Sequence, residues 1–181
     1  MNIEIVSGSP RKESVTFRLA LFLQKHFQEK TDHNVNIIDV REWNFPTLQE
    51  EVYSSVDTTP DPYKPLAERM FAADAFILVT PEYNGSYTPP LKNLFDHFPK
   101  QVHKPFGIVT ASPGALGGIR AALQLQVFII AIFGIASPYM MVTPQVEKKF
   151  DSEGNLIDPA FQNAVNNFSA EFLWLAEKVR T

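Results

Sequence analysis

The sequence predicts an α/β protein built as a three-layer sandwich: a five-stranded parallel sheet of order 2-1-3-4-5 with helices on both faces. Strand-length apolar runs alternate with stretches of helical periodicity along the whole chain, the pattern of a parallel sheet wrapped by crossover helices. The run Ala75–Thr80 (AFILVT) is apolar almost throughout, as a strand covered on both faces requires. With five strands rather than six, the common doubly wound order is 2-1-3-4-5.

Taken in order, Asn2–Ser7 (NIEIVS) reads as the first strand and stops at the turn residues Gly8, Ser9 and Pro10. Val15, Leu19, Phe22, Leu23 and Phe27 then recur at helical spacing and mark one buried face. Val35–Val40 (VNIIDV) is the second strand. The segment from Arg41 to Pro62 mixes acid, proline, serine and threonine and reads as a mobile loop. A helix around Tyr63–Phe71 leads into the third strand, Ala75–Thr80, and the turn-rich PEYNGSYTPP opens another helix near Leu91–Phe98. Phe106–Ala111 is the fourth strand, followed by the loop SPGALGG and a helix from about Ile119 to Phe133. The fifth strand falls within Tyr139–Thr143. Lys149–Leu156 has hairpin chemistry, with Gly154 able to take a positive φ. The last helix has Asp158 as N-cap and Pro159 at its first position, with apolar residues from Phe161 to Val179 at alternating steps of four and three.

The composition narrows the function. At 181 residues the chain suits one domain spanning 1–181. Sixteen basic against twenty acidic residues give a net charge of −4, which argues against a nucleic-acid partner. The absence of cysteine excludes disulfides, thiolate metal sites, iron–sulfur clusters and cysteine nucleophiles. The four histidines form no HxxH or HxH pair, so either the chain is not a metalloenzyme or it binds metal through carboxylates alone; no metal-ligating residue is assigned. The first ten residues lack the basic and apolar regions of a signal peptide, and no apolar run reaches the roughly 18 residues of a membrane span. A soluble, cytoplasmic protein without a membrane partner is the expectation.

In a sheet of this order, ligands bind beyond the carboxyl ends of the strands where strand order reverses. The loops after strands one, three and four lie there, and they are the least ordinary stretches of the sequence. The first runs from Gly8 to Thr16 and brings Ser9, Ser14, Thr16 and Arg11 to the start of a helix. A helix N-terminus favours anions, and hydroxyls with a guanidinium complete the shell of a phosphate. Neither a P-loop nor GxGxxG is present, and bulky side chains stand where a pyrophosphate would need bare backbone, so one phosphomonoester is the better guest. Asp39, at the end of strand two, can imitate a ribose-binding acid. An ordinary helix start capped by Ser14 or Thr16 competes with the phosphate reading. The second loop, Pro81-Glu82-Tyr83-Asn84-Gly85-Ser86, offers a ring face and backbone donors to a flat heteroaromatic ligand, against the alternative of a plain Asn-Gly turn. The third, Ser112 to Gly118, holds three glycines. They imply positive φ or close backbone approach, either to a ring edge or to a neighbouring strand.

Together the three segments resemble the NAD(P)H-dependent FMN reductase family of flavodoxin-like proteins, which also contains quinone, azo-dye and chromate reductases. The resemblance rests on G-S-x-R-x-x-S at Gly8–Ser14, on P-E-Y-N-G-S with P-x-L-K-N at Pro81–Asn93, and on S-x-G-x-x-G-G-x-R at Ser112–Arg120. It implies that Ser9, Arg11, Ser14 and Thr16, with Val15 in the same loop, hold the FMN phosphate. Pro81, Glu82, Tyr83, Asn84 and Gly85 would line the isoalloxazine and ribityl side, and Ser112, Gly114 and Gly117 would close the pyrimidine edge. Gly118 is assigned to helix–strand packing. Thr16 stands where the family usually has asparagine. His97 follows Asp96 where an aromatic is common, and Gln126 replaces a frequent arginine; both are expected at subunit contacts or substrate access.

The resemblance further implies hydride transfer from NAD(P)H to FMN and delivery of two electrons to a small-molecule acceptor, with no acid–base side chain assigned. Backbone N–H groups of the second and third loops are expected to stabilise charge developing on the pyrimidine edge. A flavodoxin-type electron carrier is the alternative. Val127–Phe133 (VFIIAIF) has no polar face, so a homodimer or homotetramer that buries its outer side is expected, in line with the family's general habit. Cover from the chain's own loops is the competing account.

Overall fold

The computed structural model describes residues 1–48 and 52–179. Along the chain run β1 (Asn2–Ser7), α1 (Phe17–Lys30), β2 (Asn34–Asp39), α2 (Lys64–Ala72), β3 (Ala75–Thr80), α3 (Pro89–Asp96), β4 (Pro105–Ser112), α4 (Ile119–Ala131), β5 (Ile135–Ala136), β6 (Met141–Pro144) and α5 (Gln162–Val179). The strands pair in parallel in the order β2-β1-β3-β4-β5, and β6 also pairs with β4. The fifth position is therefore filled by two short segments where one strand was expected. β5 pairs with Pro105 and Phe106 at the start of β4, and β6 pairs with Val109–Ser112 at its end. Pro138 lies between them and has no N–H to give to a ladder, so a break at this edge follows from the chain.

The inside of β3 shows why its sequence reads as a continuous apolar run. Ala75, Ile77 and Val79 join a core with α1 and α5, while Phe76 and Leu78 join a second core with α2, α3 and α4. All six of its residues are buried. β1 lies between β2 and β3, so the order reverses there, and the helices after β1 and β3 leave to opposite faces. That divergence opens a crevice at the carboxyl ends of β1 and β3.

Three other expectations need correction. The first turn of the predicted helix is not helical: Val15 precedes α1 and packs its side chain on the core. The loop between β2 and α2 is anchored rather than free in its described part. Phe45 stacks on Tyr63 at 4.4 Å and lies 4.5 Å from His97, and the Tyr53 N–H donates to the His97 carbonyl at 2.8 Å. Residues 49–51 of that segment lie outside the described residues. His97 is itself buried in this aromatic cluster, with Nδ1 2.8 Å from the Asn93 carbonyl, so it is a packing residue and not a surface one. At the far end, the Asp158 carboxylate accepts the Ala160 N–H at 3.1 Å, and Gly154 has φ +74°.

Candidate functional site

The three unusual loops follow β1, β3 and β4, which are adjacent in the sheet, so the fold brings them to one end of the molecule. The first is fixed at its base. The Gly8 N–H donates to the Val79 carbonyl at 2.8 Å, and the Thr88 hydroxyl donates to the Gly8 carbonyl. Ser9 and Thr16 are buried, whereas Arg11 is exposed. Ser14 Oγ accepts the Phe17 N–H at 3.2 Å, so the capping reading of Ser14 is correct as geometry. An oxygen that accepts one N–H still has its own proton to donate to an anion. Val15 has its side chain in the core, which leaves only its backbone for a ligand.

The second loop is a tight turn. Tyr83 and Ser86 exchange both backbone hydrogen bonds, at 2.8 and 3.0 Å, across Asn84 (φ +49°) and Gly85 (φ +82°). It is tied to the first loop by Arg11, whose Nε donates to the Tyr83 hydroxyl at 3.2 Å while the guanidinium lies 5.6 Å from the ring centre. It is tied to the third by Glu82. That carboxylate accepts the Arg120 backbone N–H and its Nη1, both at 3.1 Å, and so caps the amino end of α4 from a different loop. Pro81 sits at the base, its carbonyl accepting the Thr80 hydroxyl at 3.0 Å.

In the third loop the Ser112 hydroxyl donates to the Gly114 carbonyl at 3.2 Å, closing its own turn. Gly114 is exposed, and a side chain added there would meet only Ser112 Oγ at 3.7 Å. Gly117 differs. It is buried at φ +62°, and an added Cβ would stand 2.7 Å from Pro144 N and 2.7 Å from Val142 Cγ1. Its glycine is demanded by the approach of β6. Gly118, at φ +86°, lies against Thr110 as the helix–strand packing reading requires.

These residues fit FMN. Buried hydroxyls and an exposed guanidinium gather at the start of a 14-residue helix, which suits a phosphomonoester. The bare turns at Gly85 and Gly114 open onto space, as a flat ring held by backbone groups needs; at Gly85 an added Cβ would meet only Arg120 Cδ, at 3.8 Å. Three features were missed from sequence. Arg120 stood in the third motif without a role. Thr88 carried no signal beyond its place ahead of two prolines. Asp39, weighed as a ribose acid, is instead consumed by Arg41, whose pKa is raised by that hydrogen bond. Beside the site a cavity of about 480 Å³ opens between the β2–α2 loop and α3, lined by Trp43, Phe45, Pro89, Pro90 and Asn93 among others. Among the described residues no helix is long and apolar enough to cross a membrane, and no cluster of three or more metal-ligating side chains occurs.

Comparison with known proteins gives the family. The family model described as NADPH-dependent FMN reductase matches residues 1–146. The FMN-dependent NADPH-azoreductase of Staphylococcus aureus (strain USA300) is 32% identical over 163 residues, covering 87% of this chain and 86% of that protein. Among solved structures, FerB, a flavoenzyme NAD(P)H:(acceptor) oxidoreductase from Paracoccus denitrificans, superposes with a TM-score of 0.80 at 22% identity, over 98% of this chain and 97% of its own. A flavodoxin from the domain Archaea superposes with a TM-score of 0.58 at 13% identity over the full length of both. The last two likenesses speak to the fold, which is flavodoxin-like.

Proposed function

The chain belongs to the NADPH-dependent FMN reductase family, and on that premise we propose that it passes electrons from NAD(P)H through bound FMN to a small-molecule acceptor, a flavin, a quinone or an azo compound. The observation that carries this is the convergence of the loops after β1, β3 and β4, cross-tied by Arg11 to Tyr83 and by Glu82 to Arg120. When bound, FMN supplies the hydride and electron chemistry, and the chain supplies position and electrostatics.

In this reading Ser9, Arg11, Ser14 and Thr16 hold the phosphate, with backbone N–H groups around Val15. Pro81 to Gly85 line the ring on one side, with the Asn84 and Gly85 N–H groups as its donors, and Ser112 with Gly114 close it on the other; donors so placed act where negative charge develops. Glu82 and Gly117 act by fixing the shape of those turns. No side chain is assigned a proton-transfer role. The test is steady-state NADPH oxidation by the FMN-loaded protein with free FMN, a quinone and an azo dye in turn. Turnover with at least one is expected. A yellow protein without turnover would be an electron carrier, and a colourless one that takes up no FMN would have lost the function altogether.

We further propose a homodimer or homotetramer built on α4. Ala121, Ala122, Leu125, Phe128 and Ile129 face the core, but Val127 is 64% and Ile130 68% exposed, with Leu123 and Phe133 beside them. That exposure favours cover by a second copy over cover by the chain's own loops. Ile130→Lys is expected to lower the mass seen by light scattering at micromolar concentration. A wild-type monomer under those conditions would end the proposal.

A further inference from the structure

We propose that Asp39 and Arg41 are positioning residues for the phosphate: they turn the carbonyls of Arg11 and Lys12 toward β2 and so present the N–H side of that loop to the anion. The inference deepens the phosphate-loop reading above and rests on it.

The geometry is a clamp. The Asp39 side chain is 6% exposed, and both its oxygens accept Arg41 Nε, at 3.0 and 2.9 Å. Arg41 Nη2 completes the fork on the same carboxylate, and the Arg41 backbone N–H donates to Asp39 Oδ1 at 3.0 Å. The remaining nitrogen, Nη1, donates to the Lys12 carbonyl at 2.9 Å and approaches the Arg11 carbonyl at 3.4 Å. The guanidinium carbon lies 4.4 Å from the ring centre of Phe17, the first residue of α1. Strand pairing sets Asp39 opposite Ser7, immediately before the loop begins.

A trans peptide is planar, so its C=O and the following N–H point in opposite directions. Holding the Arg11 and Lys12 carbonyls against Arg41 therefore sends the N–H groups of Lys12 and Glu13 to the other side. A carbonyl that swung back would place a negative oxygen beside the phosphate. Asp39 explains why Arg41 does not itself move to the anion: the carboxylate occupies Nε and Nη2, and only Nη1 is left for the loop. The pair is neutral overall. It acts through its fork geometry and not through added charge, and a lysine has no such fork.

Flavin binding separates the possibilities. Full-length protein freed of flavin by dialysis is titrated with FMN and with riboflavin, which lacks the phosphate. Arg41→Met, Arg41→Lys and Asp39→Asn are each expected to weaken FMN binding by about 10-fold, the scale of a lost charge-assisted contact, with riboflavin affinity unchanged. If Arg41→Lys binds FMN as the wild type does, or Asp39→Asn binds it more tightly, Arg41 acts as a charge and the clamp is overturned. Parallel loss of both flavins with a lower melting temperature would reduce the pair to scaffolding and also overturn it. In each of these cases the proposed function stands. A wild type that binds neither flavin overturns that function, and the clamp with it.

Discussion

Replacing Gly117 by alanine isolates a packing demand from a binding one. The residue has φ +62°, a region that costs a residue bearing Cβ roughly 1–2 kcal/mol. The new methyl would also stand 2.7 Å from Pro144 N, 2.7 Å from Val142 Cγ1 and 2.9 Å from the Thr143 carbonyl carbon. Two of those contacts are backbone, so β6 itself must shift, and overpacking of this kind costs about 1–3 kcal/mol. A central figure of about 3 kcal/mol lowers Tm by about 6–12 °C for a domain of this size. Gly114→Ala is the control, since its methyl meets only Ser112 Oγ at 3.7 Å. It is expected to leave stability within about 0.5 kcal/mol of the parent while weakening FMN binding. Urea and thermal unfolding of the flavin-free proteins, followed by tryptophan fluorescence, keeps ligand linkage out of the comparison. A Gly117→Ala protein that melts within about 2 °C of the parent would refute the steric argument.

His26 makes stability depend on pH. Its Nε2 lies 3.0 Å from the Ser169 hydroxyl between α1 and α5, and burial, then Lys30, pushes its pKa below the ordinary histidine value. The unfolded chain therefore binds the proton first, and stability falls as pH drops from about 6.5 toward the folded value. Tm measured from pH 7 to pH 5 is expected to decline more steeply for the wild type than for His26→Gln, and equal slopes would contradict this. Replacing Asn84 and Gly85, the two positive-φ residues of the second loop, is expected to change flavin affinity or reduction potential. Titrations and potentials that match the wild type would remove that loop from the ring site.

Most of the fold was legible because each strand and helix announces itself within a dozen residues, and strand order follows from their alternation. The edge was not. β5 is two residues long, too short for any periodicity, and its partners at Pro105 and Phe106 lie some thirty positions away. The site's composition was equally visible in three local motifs, but its cross-ties were not. Arg11 meets Tyr83 across 72 positions, and Glu82 meets Arg120 across 38. At Gly117 local sequence shows a need for glycine, but not whether a ligand, the approach of β6 or both impose it. For Asp39, its strand-end position suggested a sugar contact, while Arg41 two residues later carried the actual answer.

Glu82 grips the first turn of α4, and the same helix carries Val127 and Ile130 on its outer flank. A 13-residue helix is a stiff rod about 20 Å long, so a push on its side is felt at its tip. The consequence is mechanical: a second copy leaning on that flank, as proposed, would bear on the turn proposed to hold the flavin head. If the proposed assembly forms, concentration becomes a control on cofactor retention.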